Sequence, residues 1–169
     1  MIMALLVSAV CAIFVGGLAT PRAHVASRAI VLTAAPETVW QLVRDVKNYP
    51  DWRDDVYSVH IDSGSVDEMR WTELGSGSLS YVAVTDEAPT RFAARIADQD
   101  LSYSSEWRYV LSPEGTGTRL VISDHGEVGN PMFRFFRTHF IGFTGNIDKY
   151  LSNLAVQLRE HAKPQPVVT

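Results

Sequence analysis

The chain has 169 residues, 46% of them hydrophobic and 20% charged, with a formal net charge of -4, enough for one domain with a short extra segment and not comfortably for two. The acidic balance argues against a general nucleic-acid binder, which carries a basic face, and no nucleic-acid partner is expected. The single cysteine, Cys11, cannot pair within the chain, so packing rather than disulfides must hold the core.

No Asp, Glu, Lys or Arg precedes Arg22, and Met1 to Ala19 is apolar apart from Ser8. A helix of about 20 residues rising ~1.5 Å each matches a ~30 Å hydrocarbon core. Residues 1–21 are therefore predicted to be a transmembrane anchor. A cleaved secretory signal ending near Gly17-Leu18-Ala19 is the alternative, although the basic n-region of such signals is missing. Arg22 and Arg28 follow the segment, which by the positive-inside rule makes this a single-pass membrane protein with its domain on the cytoplasmic side; signal cleavage would instead give a secreted one.

A folded domain is expected over residues 22–163, followed by a polar tail, 164–169. His24 to Thr33, rich in Val, Ile and Ala, suits a first strand. Ala35-Pro36-Glu37 then starts a helix with proline at its first position, and Val39, Trp40, Leu42, Val43 and Val46 give that helix an apolar face. Pro50 ends it. Six strands follow near 55–62, 68–74, 78–87, 91–98, 103–112 and 116–127. Turns at Ser63-Gly64, Gly75-Ser76-Gly77, Ala88-Pro89 and Pro113-Glu114-Gly115 separate most of them.

From Asn130 the apolar period becomes helical. Phe136, Phe140, Phe143, Ile147, Leu151, Leu154 and Leu158 recur at steps of three and four. One helix of about 30 residues, ~45 Å long, is predicted, capped by Asn130-Pro131 and stopped by Pro164 and Pro166. Gly142 and Gly145 weaken it by up to ~1 kcal/mol each relative to Ala and would allow bending.

Strand, short helix, six strands and long helix make an α+β order rather than alternating βαβ units. A seven-stranded antiparallel sheet curved around the long helix covers its apolar face and tends to leave a pocket between the two. Three stretches then carry a resemblance: Ala35-Pro36-Glu37-Thr38-Val39-Trp40; Asp45 with Tyr49-Pro50-Asp51-Trp52 and Asp54-Asp55-Val56; and Gly115-Thr116-Gly117-Thr118-Arg119-Leu120. In this order, over about residues 24–162, the chain resembles the START-like (SRPBCC) superfamily, in its polyketide cyclase/dehydrase and lipid-transport group. The resemblance implies a helix-grip fold with a cavity for apolar ligands, used in some members for cyclisation or lipid carriage. Ligand and chemistry differ among families that share the scaffold.

The residues themselves offer few catalytic candidates. Asp124-His125-Gly126-Glu127 places two carboxylates and an imidazole at one strand end, yet alternation puts Asp124 on the face opposite His125 and Glu127. Asp124 and His125 are the weak catalytic candidates, with a solvated strand end as the plainer explanation. No HExxH, Cys-Cys or His-Cys spacing is present, so neither a metal nor a cofactor is expected. There is no G-x-S-x-G elbow, and the glycine stretch at 75–78 lacks a phosphate-loop lysine.

Aromatic residues are more informative. Tyr103, Trp107 and Tyr109 share one strand parity, and Trp71 and Tyr81 lie on neighbouring strands. With Phe136, Phe140 and Phe143 they form the predicted ligand-binding set, against the alternative of dry core packing. Phe133, Phe135, Phe136, Phe140 and Phe143 are more than one buried face absorbs. Together with Arg134, Arg137 and His139 they suit an interfacial surface resting on headgroups, with an entrance at that end of the domain. The predicted partners are thus an apolar small molecule or lipid, and a membrane contacted through residues 1–19 with Phe133 and Phe135.

Three functions fit this reading: membrane-associated binding or transport of an apolar ligand, a cyclase- or dehydrase-type enzyme in which a polar cavity residue moves a proton on a bound carbonyl compound, and a ligand-free interaction domain.

Overall fold

The computed structural model describes residues 2–62 and 68–167. The predicted turn at Ser63-Gly64 lies outside them. The frame is a hairpin of two twelve-residue strands, β6 (Tyr103–Glu114) and β7 (Gly117–Val128), paired from Tyr103 opposite Val128 down to Glu114 opposite Gly117. Gly115 turns the hairpin with φ 61°, a conformation that glycine adopts without steric cost. On the far side of β7 lies β1 (Ala23–Leu32), with Ala23 opposite Glu127 and Leu32 opposite Thr118.

The remaining strands are β2 (Ser58–Asp62), β3 (Arg70–Leu74), β4 (Ser78–Glu87) and β5 (Arg91–Ile96). A shift of register between Ala83 and Thr85 of β4 adds local curvature. The sheet has eight strands, not seven, in the order β2-β3-β4-β5-β6-β7-β1-β8. The eighth, β8 (Gln165–Pro166), comes from the predicted polar tail and pairs with Arg28 and Ala29. Two residues, one of them proline, carry no alternation to read.

Alternation fixes the inner face. Trp71, Phe92, Tyr109, Leu111, Leu120, Ile122, Ile30 and Leu32 are buried there against two helices. The first, α2 (Pro36–Arg44), starts on its proline and buries Val39, Trp40 and Val43. A 3₁₀ turn at Val46–Asp51 follows, where the Tyr49 hydroxyl donates to the Val43 carbonyl at 2.7 Å.

The predicted 30-residue helix is broken in the structure. Its first part, α3 (Pro131–Phe136), is capped by the Asn130 side chain, which accepts from the Phe133 N–H at 3.0 Å. One π turn, Arg137–Ile141, leads to Gly142 at φ 78° and ψ -179°, a region essentially reserved for glycine. The helix resumes as α4 (Gly145–Gln157), which buries Ile147, Tyr150, Leu151, Leu154 and Ala155 against the sheet. At ~1.5 Å per residue α4 is about 20 Å long. It stops before the prolines, with Arg159 at φ 58°. The Glu160 carboxylate then accepts the Thr33 and Ala34 N–H groups at 2.8 and 3.0 Å, fastening this end of the chain to β1. Gly142→Ala forces a side chain into the disfavoured region and is expected to cost about 1–3 kcal/mol, read as a lower urea midpoint at unchanged slope.

The apolar N-terminal segment forms α1 (Ile2–Ala19). Contrary to the spanning anchor predicted for residues 1–21, no helix among the described residues is long and apolar enough to cross a membrane. Eighteen residues reach about 27 Å, and the last turn is committed to the domain. A Cβ on Gly17 would collide with the Pro131 carbonyl, and one on Gly16 would meet the Phe135 ring. The buried Arg134 donates from Nε to the Gly17 carbonyl at 2.8 Å and from Nη1 to the Val128 carbonyl at 2.9 Å. Arg134, expected to face headgroups, instead bolts α1 to α3 and β7. Arg28, the second arginine of the sidedness argument, points to α4 and donates to Asp148 at 2.8 Å. Of the two, Arg22 alone keeps its place beside the segment.

Candidate functional site

The middle of the inner face is filled. Tyr150 lies at the centre of an aromatic group with Tyr49, Trp52, Trp107 and Tyr109, within which ring-centroid distances run from 5.1 to 6.2 Å, and Phe92, Trp71 and Tyr81 continue the cluster from Tyr109. Burial pushes the hydroxyls of Tyr49, Tyr81, Tyr109 and Tyr150 well above the ordinary phenolic range, so they stay protonated. Arg53 stacks on the rings of Tyr49 and Tyr150, 4.9 and 5.3 Å from their centroids. It pairs with Glu73 at 3.1 Å and Asp55 at 2.7 Å. Glu73 also accepts from Trp71 Nε1 at 3.0 Å. Burial raises the Glu73 carboxyl above its ordinary value, and the Arg53 charge offsets part of that rise.

Toward the other end of the same face polar groups gather. The row His24, Gly126, Ser105 runs across β1, β7 and β6 in register, with Asp124 one step along β7. Ser105 Oγ donates to Asp124 Oδ1 at 2.6 Å, and Asp124 Oδ2 stands 3.5 Å from His24 Nε2. The imidazole leans over Gly126, where a Cβ would fall 2.6 Å from its Cε1. Phe143, just past the Gly142 break, stacks on His24 at 3.9 Å and 21°, and Arg137 lies 4.9 Å above the Phe143 ring.

Of the predicted catalytic pair, the structure brings Asp124 inward to His24 and Ser105. His125 faces the outer surface, in a groove of about 370 Å³ with Val25, Glu106 and Arg95. A second open groove, about 510 Å³, lies beside Arg44, Met69 and Asp86. Of the ligand-binding set, Trp71 and Tyr109 are core residues, while Tyr81 and Trp107 are partly buried. Tyr103 is at the exposed strand end, and Phe143 covers His24. Phe136 and Phe140 point outward, Phe140 being 73% exposed. They pack on each other and on Phe135, whose ring meets α1 at Gly16. Among the described residues no group of three or more His, Cys, Asp or Glu side chains is placed to hold a metal.

Sequence reasoning missed His24, Ser105, Arg53 and Glu73. Ser105 shares the parity of Tyr103 and Trp107, and Glu73 that of Trp71, so a polar residue in an apolar register was the available signal. His24 meets Asp124 through non-local pairing, which leaves no local mark, whereas Arg53 has one partner, Asp55, two residues on and another, Glu73, on β3.

A curved antiparallel sheet closed over a C-terminal helix, with its openings at the ends, defines the helix-grip class. The chain belongs to the family described as polyketide cyclase / dehydrase and lipid transport, which matches residues 23–159. Solved structures agree on the fold. Norcoclaurine synthase from Thalictrum flavum superposes with a TM-score of 0.66 at 10% identity, covering 87% of this chain and 92% of its own. A START superfamily protein from Mycobacterium smegmatis gives 0.61 at 18%, covering 80% and 97%. TTHA0849 from Thermus thermophilus gives 0.62 at 21%, covering 81% and 97%. No curated protein matches the sequence. The family is compatible with ligand binding or with cyclase- and dehydrase-like chemistry.

Proposed function

We propose that the protein binds an apolar small molecule or lipid at a membrane surface, through the end of the domain where Phe143 covers His24. The observation that carries this reading is the apolar exposure around that end. Phe133, Phe136, Phe140 and Ile141 face solvent beside Met3, Leu5, Leu6, Val7, Val10, Phe14, Val15 and Leu18 of α1. Water-exposed apolar surface of this kind marks an interaction site. α1 is apolar on all sides, yet no described helix is long and apolar enough to cross a membrane, so it suits shallow burial in one leaflet beside the domain. The aromatic cluster fills the middle of the sheet, so we assign the ligand site to the polar end beneath Phe143 and not to a central cavity.

A cytoplasmic placement of the domain is part of the same proposal, supported by the attraction of Arg22, beside α1, to the anionic cytoplasmic leaflet. Cyclase- or dehydrase-type chemistry is the second reading. It is favoured by Asp124 sitting within reach of the His24 imidazole beneath Phe143.

Replacing Phe133, Phe136 and Phe140 together with Ser is expected to lower partitioning onto phosphatidylcholine/phosphatidylglycerol vesicles at least tenfold, since even partial burial of three phenyl rings amounts to about 1.4 kcal/mol or more. Unchanged sedimentation would remove the membrane contact. Native mass spectrometry of detergent-free protein tests the ligand: a co-purified apolar molecule is expected, and repeated recovery of empty protein from several hosts would count against a carrier.

A further inference from the structure

His24 Nδ1 is a buried side-chain polar atom with no hydrogen-bond partner, and among the described residues no other such atom is found. Its chemistry follows from its neighbours. A carboxylate only accepts, so Asp124 beside Nε2 selects the tautomer protonated there and leaves Nδ1 as a lone pair. A buried lone pair without a donor costs stability until a donor reaches it. Ser105 is no such donor, because its hydroxyl is spent on the other Asp124 oxygen.

The ring that covers this imidazole is held by side-chain contacts alone, His24 on one face and Arg137 over the ring. Phe143 follows Gly142, lies outside both helices and is partly exposed, whereas Thr144 and Asp148 just beyond it are held by Arg28. A ligand that reaches Nδ1 in the plane of the imidazole has to push Phe143 aside, and Tyr103 and Trp107 lie on the same sheet face to receive its apolar body. A carboxylic acid would bring negative charge against Asp124. An ether or ketone has no hydrogen to give, and an ammonium would have to shed its hydration.

We propose that His24, Asp124 and Ser105 form the polar end of the ligand site and select an apolar molecule bearing a hydroxyl donor, a phenol or aromatic alcohol, whose hydroxyl meets Nδ1 in the plane of the imidazole while its apolar body pushes Phe143 aside. The proposal rests on the apolar-ligand reading above and names its ligand class.

Equilibrium dialysis of the full chain in phospholipid nanodiscs, corrected with empty discs, compares 4-pentylphenol with pentylbenzene. The phenol is expected to bind about tenfold more tightly, the worth of one hydrogen bond to a buried acceptor. His24→Phe, which keeps a ring against Phe143, should reduce the phenol to the arene's affinity and leave the arene unchanged. Equal binding of the two probes by the unaltered protein, or a preference that survives in His24→Phe, overturns the hydroxyl site and leaves the apolar-ligand reading standing. Binding of neither probe overturns both.

Discussion

Replacing Arg53 with Met is expected to cost about 3–5 kcal/mol of stability, because Glu73 is then left as a buried carboxylate without its charge partner. The loss should depend on pH in a definite direction. Burial raises the Glu73 carboxyl in the folded protein, so the folded state holds this proton more tightly than the unfolded chain, whose carboxylates titrate at about pH 4.3. The stability linked to such a group is fully present below the unfolded value and is lost as pH rises through the folded one. Without Arg53 the folded value climbs further and the loss widens. Urea unfolding at pH 4.5 and pH 8 should therefore show a smaller gap between Arg53→Met and the parent at the lower pH. Arg53→Met with Glu73→Gln should recover most of the loss, since Trp71 can still donate to the amide oxygen. An identical gap at both pH values would mean that the cost lies in the lost stacking on Tyr49 and Tyr150 instead.

Deleting residues 2–19 is expected to abolish vesicle binding. Among the described residues α1 offers eight large exposed apolar side chains, each worth about 1.5 kcal/mol or more on full burial, against partial burial of a few rings on α3 and the π turn. The deletion should also strip the Gly17 acceptor from buried Arg134, at about 1–3 kcal/mol in the remaining domain. Gly17→Val separates the two effects. It undocks α1 from Pro131 while keeping the segment attached, so the domain should lose stability and the protein should still sediment with vesicles. A truncated chain that pellets as before would take α1 out of the membrane contact and leave the phenylalanines as its whole basis.

Much of the fold was legible because its signals are local. Alternation and turn residues located seven strands, and Pro36 and Asn130-Pro131 marked two helix starts. The broken helix shows where that reading stops. The steps of three and four from Phe136 to Leu158 describe one stripe only if a single axis continues, and Gly142 ends that axis. Before the break, Phe136 and Phe140 turn outward; after it, Ile147, Leu151 and Leu154 turn to the sheet. The weakness at Gly142 was readable, whereas the new direction beyond it depends on tertiary packing. The site divides in the same way. The common face of Tyr103, Trp107 and Tyr109 follows from parity, and so does the separation of Asp124 from His125. The meeting of His24 with Asp124 needs the β1–β7 register, which joins residues a hundred positions apart.

The short strand β8 also bears on how this sheet ends. β1 would otherwise run along the border with its outer N–H and C=O groups open to any extended chain, the usual route to edge-to-edge aggregation. Gln165 and Pro166 lie against Ala29 and Arg28 at the middle of that border. Proline has no N–H to offer outward, so the added strand occupies the edge and is itself a poor template for the next. The chain thereby shields the middle of one edge with two residues that look, in the sequence, like the start of a tail.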